Sequence, residues 1–131
     1  DGTVVYRVVP GFVIQAGSYE ASGKERPSHE PIPLEAGNGL SNLRGALAMA
    51  RGAEPNTGSS EFFIDLVDNA ALDRTPGDTE GRTGYAVFGR VVSGMEVVDA
   101  IAAVPLGGGV GPFAANSPTM PVTILSAAVV N

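Results

Sequence analysis

Few side chains in this sequence combine into a familiar reactive set. The only histidine, His29, lies in a proline-rich stretch with no G-x-S-x-G elbow anywhere, which argues against a Ser-His-Asp hydrolase. The absence of cysteine removes disulfides, thiolate metal sites and a cysteine nucleophile. Only carboxylates are left for a metal, and their spacing matches no calcium loop, so no metal is expected. The glycine run Gly107–Gly111 ends in Pro112 instead of opening a helix after a strand. It therefore reads as a plain flexible turn rather than a dinucleotide cradle, and no cofactor is expected. Asp65 and Asp68 have the chemistry to exchange protons but read as a solvated strand end. Three blocks remain. They are Tyr6–Gln15 (YRVVPGFVIQ); Met49-Ala50-Arg51 with Pro55-Asn56-Thr57 and Phe62-Phe63-Ile64; and Tyr85–Gly89 (YAVFG). Taken singly, Arg7 is a solvated strand residue, Phe12, Phe63 and Leu72 are core, and Met49 is core filler.

The elements that must position these blocks are short. The chain has 131 residues, 44% of them hydrophobic, which suits a single domain spanning residues 1–131 with a real core. Its 18 glycines and 10 prolines demand many turns and argue against a helical bundle. No apolar run approaches the roughly 20 residues that cross a membrane as a helix. A net charge of −6 with one lysine gives no footprint for a phosphate backbone, so neither nucleic acid nor membrane is an expected partner. Thr3–Val9 and Phe12–Ala16 are rich in β-branched and aromatic residues and read as strands divided by Pro10-Gly11. Gly17–Asn42 is a long irregular loop. Ala46–Ala50, Glu61–Val67, Tyr85–Val92 and Pro121–Val130 read as further strands, with Gly89 marking a bulge or a close backbone approach. One helix is expected, capped by Ser93 with Glu96 three residues on, carrying Met95, Val98, Ile101 and Ala102 on one face and ended by Pro105. Six strands and one helix make a mainly β chain, for which a barrel is more natural than a sandwich.

The three blocks together resemble the cyclophilin family of peptidyl-prolyl cis–trans isomerases, and its exported bacterial type in particular. The matching motifs are long and ordered and span essentially the whole chain. The resemblance implies a closed antiparallel β-barrel capped by helices, of which two N-terminal strands and one helix are absent from this sequence. An open barrel would leave two unpaired edges and an uncovered apolar face.

The family chemistry has a physical basis. Rotation about an X–Pro amide must cross about 18–20 kcal/mol because resonance holds the bond planar. A site that prefers the twisted amide to both planar isomers lowers that barrier without covalent steps. It needs an apolar pocket for the proline ring and a fixed donor for the nitrogen that becomes pyramidal. Arginine suits the second task through its permanent charge and rigid fork of donors. By resemblance, Arg7 is the catalytic donor, and Phe12, Met49, Phe63 and Leu72 match the proline pocket. Gln15 matches the residue that positions the arginine and the peptide. Ala50 and Arg51 align with the segment whose backbone binds the peptide ahead of proline, and Tyr85 and Glu61 complete the peptide-binding set.

Some positions depart from the family pattern. Ala71 stands where an aromatic residue usually precedes Leu72, which implies weak cyclosporin binding. Tyr85 replaces a common histidine. Glu61 replaces the usual glutamine and is placed to pair with Arg7, drawing it from the amide. The leading expectation is a monomeric isomerase acting on proline-containing peptides and unfolded or exported polypeptides, periplasmic or secreted rather than cytoplasmic. A proline-peptide binding module with little turnover is the alternative. A third reading is a fragment that folds only when complemented by the absent piece.

Overall fold

Period-two alternation in short apolar runs sorts this chain into two layers, because residues paired across neighbouring strands share a face of the sheet. The computed structural model describes residues 1–131. Its strands are β1 (Arg7–Val9), β2 (Val13–Ala16), β3 (Ala46–Met49), β4 (Phe62–Asp65) and β5 (Val87–Arg90). All neighbours are antiparallel and the order is β1-β2-β4-β3-β5. The single helix, α1, runs from Met95 to Ala102.

Register fixes what each face carries. Val8 pairs with Ile14, Ile14 with Ile64, and Ile64 with Leu47. On this face Val5, Val8, Ile14, Ala16 and Leu66 close around Val98 of α1, with Phe62, Ile64, Met95 and Ile101 packed against them. On the opposite face Arg7 pairs with Gln15, Gln15 with Phe63, and Phe63 with Ala48. There a second cluster of Val13, Ala46, Ala48, Ala50, Phe63 and Val87 is joined by Phe12, Leu72 and Tyr85. The small alanines of β3 leave room for these larger rings above the sheet. The β3–β5 ladder shifts register so that Leu47 meets Gly89 and Ala48 meets Val87, which leaves Phe88 as the extra, bulged residue.

Three expectations need correction. Ser93 does not cap α1: the cap is Gly94 at φ 86°, a left-handed conformation that glycine adopts at no steric cost, and no side chain closes the helix end. Residues 121–130 are not a strand of the sheet. Backbone bonds tie Val122 and Ile124 to Val5, Thr3 and Gly2, and beyond them Leu125, Val129 and Val130 lie exposed without a ladder partner. A β-rich sequence forms a strand only where a second chain segment meets its hydrogen-bonding edge. The first strand is likewise shorter than expected, with Val4 making only an isolated bridge to Thr123.

Candidate functional site

The second face of the sheet opens into a groove of about 430 Å³. Its floor is the row Arg7, Gln15, Phe63, which lie directly across from one another on β1, β2 and β4. Arg7 Nη1 donates to Gln15 Oε1 at 3.0 Å, and Gln15 Nε2 donates to Glu61 Oε1 at 3.0 Å. The same carboxylate oxygen accepts the Tyr6 hydroxyl. Burial, reinforced by Glu61, pushes the Tyr6 phenol far above its ordinary range, so this hydroxyl keeps its proton and donates. The chain Tyr6–Glu61–Gln15–Arg7 thus fixes the guanidinium from behind. Nη1 is engaged with Gln15 and Nε is buried without a partner, so Nη2 is the donor the arginine retains for a ligand.

This arrangement corrects the expectation for Glu61. The carboxylate forms no ion pair with Arg7; it is occupied by Tyr6 and Gln15. Ala50 N–H, which donates to Glu61 O at 3.0 Å, holds the start of β4 beside β3.

The apolar part of the groove is made by Phe12, Val13, Phe63, Leu72 and Tyr85. Phe63 and Tyr85 meet edge to face, 5.7 Å between centroids and 75° apart. A buried polar network holds the loops that deliver these groups. Asn69 Nδ2 donates to Phe12 O at 3.0 Å and to Asp65 Oδ1 at 2.7 Å. Asn42 Nδ2 donates to Leu72 O at 3.2 Å and to Asp73 Oδ1 at 3.0 Å. Tyr85 N–H donates to Leu72 O at 2.9 Å. Asp65 is fully buried, and burial pushes its carboxyl up to about 6 against the pull of the Asn69 bond.

One end of the groove is backbone and hydroxyl. Gly52 N–H donates to Thr57 Oγ1 at 2.8 Å, and Thr57 Oγ1 donates to Glu54 O at 2.7 Å, bending residues 52–57 into a rim. Arg51 is spent on structure: its Nε donates to Gly84 O at 3.0 Å and its guanidinium lies 4.7 Å over the Tyr85 ring. Together these contacts tie the 74–84 loop to β3.

Of the ten residues expected at the site, nine line this groove: Arg7, Phe12, Gln15, Ala50, Arg51, Glu61, Phe63, Leu72 and Tyr85. Met49 does not. It pairs with Phe62 on the opposite face of the sheet and borders a separate cleft with Leu34, Pro55 and Phe88. Val13 stands among the apolar groove residues instead. It could have been read from the sequence, because it lies two residues before Gln15 on one strand and so shares its face. Tyr6, Thr57, Ser59, Pro112 and Phe113 also line the groove. Phe113 gave no sequence signal, since it reaches Arg7 from the far end of the chain.

Comparison with known proteins sets the chain in a family context. The chain is 45% identical over 130 residues to peptidyl-prolyl cis-trans isomerase A of Dickeya dadantii, covering 99% of this chain and 65% of that protein. It is 46% identical over 126 residues to a peptidyl-prolyl cis-trans isomerase of Acinetobacter baylyi, covering 96% of this chain and 64% of that one. The chain therefore spans slightly less than two thirds of the length of these relatives. Among solved structures, a cyclophilin type peptidyl-prolyl cis-trans isomerase of Cryptosporidium parvum, crystallised in the presence of the dipeptide Ala-Pro, superposes with a TM-score of 0.72. That match covers 95% of this chain and 72% of the other at 24% identity, and it shows a shared fold. Residues 1–129 match the family described as cyclophilin type peptidyl-prolyl cis-trans isomerase/CLD. With the fold, the relatives matched over nearly all of this chain and the family match in agreement, the chain belongs to the cyclophilin-type peptidyl-prolyl cis–trans isomerase family.

Proposed function

We propose that this chain accelerates cis–trans rotation of X–Pro bonds, with Arg7 stabilising the twisted amide. The observation that carries the reading is the row Arg7–Gln15–Phe63. It sets a tethered guanidinium with a free donor one strand from the edge of an apolar pocket. A proline ring seated against Phe12, Val13, Phe63 and Leu72 brings its own nitrogen toward the arginine. As the amide twists, that nitrogen gains a lone pair, which a donor fixed beforehand meets without reorganising. The planar isomers offer no such acceptor, so the interaction favours the transition state alone. The backbone of Ala50 and Arg51 then serves the peptide ahead of proline.

The binding-module alternative rests on two grounds, the strands absent from this sequence and a Glu61–Arg7 pair, and the structure bears on the second. With Glu61 on Tyr6 and Gln15, the arginine stays directed by Gln15 and that support falls away. The substrates in this reading are proline-containing segments of unfolded or exported polypeptides, and the setting is periplasmic or secreted. Cyclosporin binds weakly, because Ala71 offers neither an aromatic wall nor a donor beside Leu72.

The test is cis-to-trans relaxation of an X–Pro peptide with this chain and with Arg7→Ala. The expected loss is about 10²–10³-fold in kcat/KM, the scale of removing one donor aimed at transition-state charge. Equal acceleration by the two proteins refutes the assignment of Arg7. Peptide binding without acceleration by either refutes the isomerase reading and supports the binding module.

A further inference from the structure

The glycine-rich loop after α1 is more than a turn. Gly107 and Gly108 N–H groups donate to Ser117 O at 2.7 and 2.8 Å, and Val110 N–H donates to Ser117 Oγ at 3.2 Å. Ser117 is itself buried, and Asn116 Nδ2 donates to Val8 O on β1 at 3.3 Å. Gly111, at φ 73°, packs so closely on Tyr6 that an added Cβ would come within 2.8 Å of its ring. These contacts fasten the loop to the strand that carries Arg7. They bring the Phe113 ring to 4.4 Å from the Arg7 guanidinium carbon while leaving Phe113 42% exposed.

We propose that Phe113 is a positioning residue for Arg7, holding the face of the guanidinium as Gln15 holds its edge. This inference rests on the isomerase reading above. A single hydrogen bond through Nη1 leaves the guanidinium free to swing about that contact. A ring against its face removes the remaining freedom and attracts the cation through the ring quadrupole. The two restraints are independent, one from β2 and one from a loop beyond α1. Together they hold the remaining donor, Nη2, in place before a peptide arrives, which is the preorganisation that a transition-state interaction requires. The phenyl group makes no reaction of its own.

The experiment compares the wild type, Phe113→Leu and Phe113→Tyr in three measurements. They are isomerisation of one X–Pro peptide, the Kd of that peptide, and the NMR shifts of the Arg7 side-chain protons. Phe113→Leu is expected to lower kcat by about three- to tenfold, the span of a partly exposed cation–π contact, with Kd unchanged. Phe113→Tyr, which keeps an aromatic face, restores the rate. The Arg7 protons are shifted upfield by the ring in the wild type and in Phe113→Tyr, and lose that shift in Phe113→Leu. Wild-type turnover by Phe113→Leu overturns the inference, as does an equal fall in Leu and Tyr, or a loss confined to Kd. If the wild type binds peptide without turnover while the Arg7 shift persists, the stacking stands and the isomerase reading is what fails.

Discussion

Burial of Asp65 makes the stability of this fold depend on pH in a direction opposite to that of most carboxylates. Asp65 sits in β4 opposite Val13 with no solvent exposure; Oδ1 accepts from Asn69 while Oδ2 has no partner. Burial, with Asp73 and Asp68 nearby, raises its carboxyl from 3.8 to about 6. Between these values the folded chain keeps a proton that the unfolded chain has released, so stability falls as pH rises through the window and levels off above it. The rise of about two units is worth about 3 kcal/mol at neutral pH. Asp65→Asn keeps the acceptor for Asn69 and removes the charge. Urea unfolding of both proteins, followed by circular dichroism at pH 4, 5, 6 and 8, isolates the effect. Asp78 and Asp99, held below the ordinary carboxylate range by Thr83 and Arg44 respectively, cancel in the difference between wild type and variant. The variant gains about 2.5 kcal/mol on the wild type between pH 4 and pH 8, with nearly all of the gain complete by pH 7. A difference that does not change with pH refutes the argument, and a variant that loses ground as pH rises reverses its sign.

Two further outcomes test the groove. Phe63→Ala removes a ring that joins the second core cluster to the pocket and meets Tyr85 edge to face, so it should cost about 3–5 kcal/mol in urea unfolding and abolish binding of an X–Pro peptide. A loss below 1 kcal/mol would show that the ring is not integral to the core. Ala71→Trp adds an aromatic wall and an indole donor beside Leu72 and should tighten cyclosporin binding about tenfold, the worth of one good hydrogen bond. The native chain has no tryptophan, so the new side chain reports its own titration by fluorescence, and an unchanged Kd refutes the role given to position 71.

Local pattern made much of this legible. The β-branched run ending at Val9, the Pro10-Gly11 break and the resumption at Val13 describe a hairpin, and its register follows once Arg7 is set against Gln15. Adjacent Phe62 and Phe63 had to face opposite sides, and they do: Phe62 packs under α1 and Phe63 lines the groove. Met49 was misplaced because motif spacing does not encode register; its pairing with Phe62 depends on how β3 meets β4. Ser93 looked like a cap because the capping box is a local signal, but a left-handed Gly94 already turned the chain into the helix. The Tyr6–Glu61 and Phe113–Arg7 contacts were invisible for a different reason. Each joins segments far apart in the chain with no periodicity to announce them, and only the packed loop after α1 brings Phe113 home.

The placement of β4 between β2 and β3 also governs when the groove exists. The β1–β2 hairpin can close locally, but Gln15 and Glu61 meet across 46 residues of chain, and Asn116 reaches Val8 across 108. Each such closure must lose loop entropy before its contacts repay it, which makes topologies of this kind slow to fold. During synthesis the ordered floor of the groove must wait for β4, and its arginine must wait for the loop beyond α1. Recognition of a proline segment is thus a property of the completed topology.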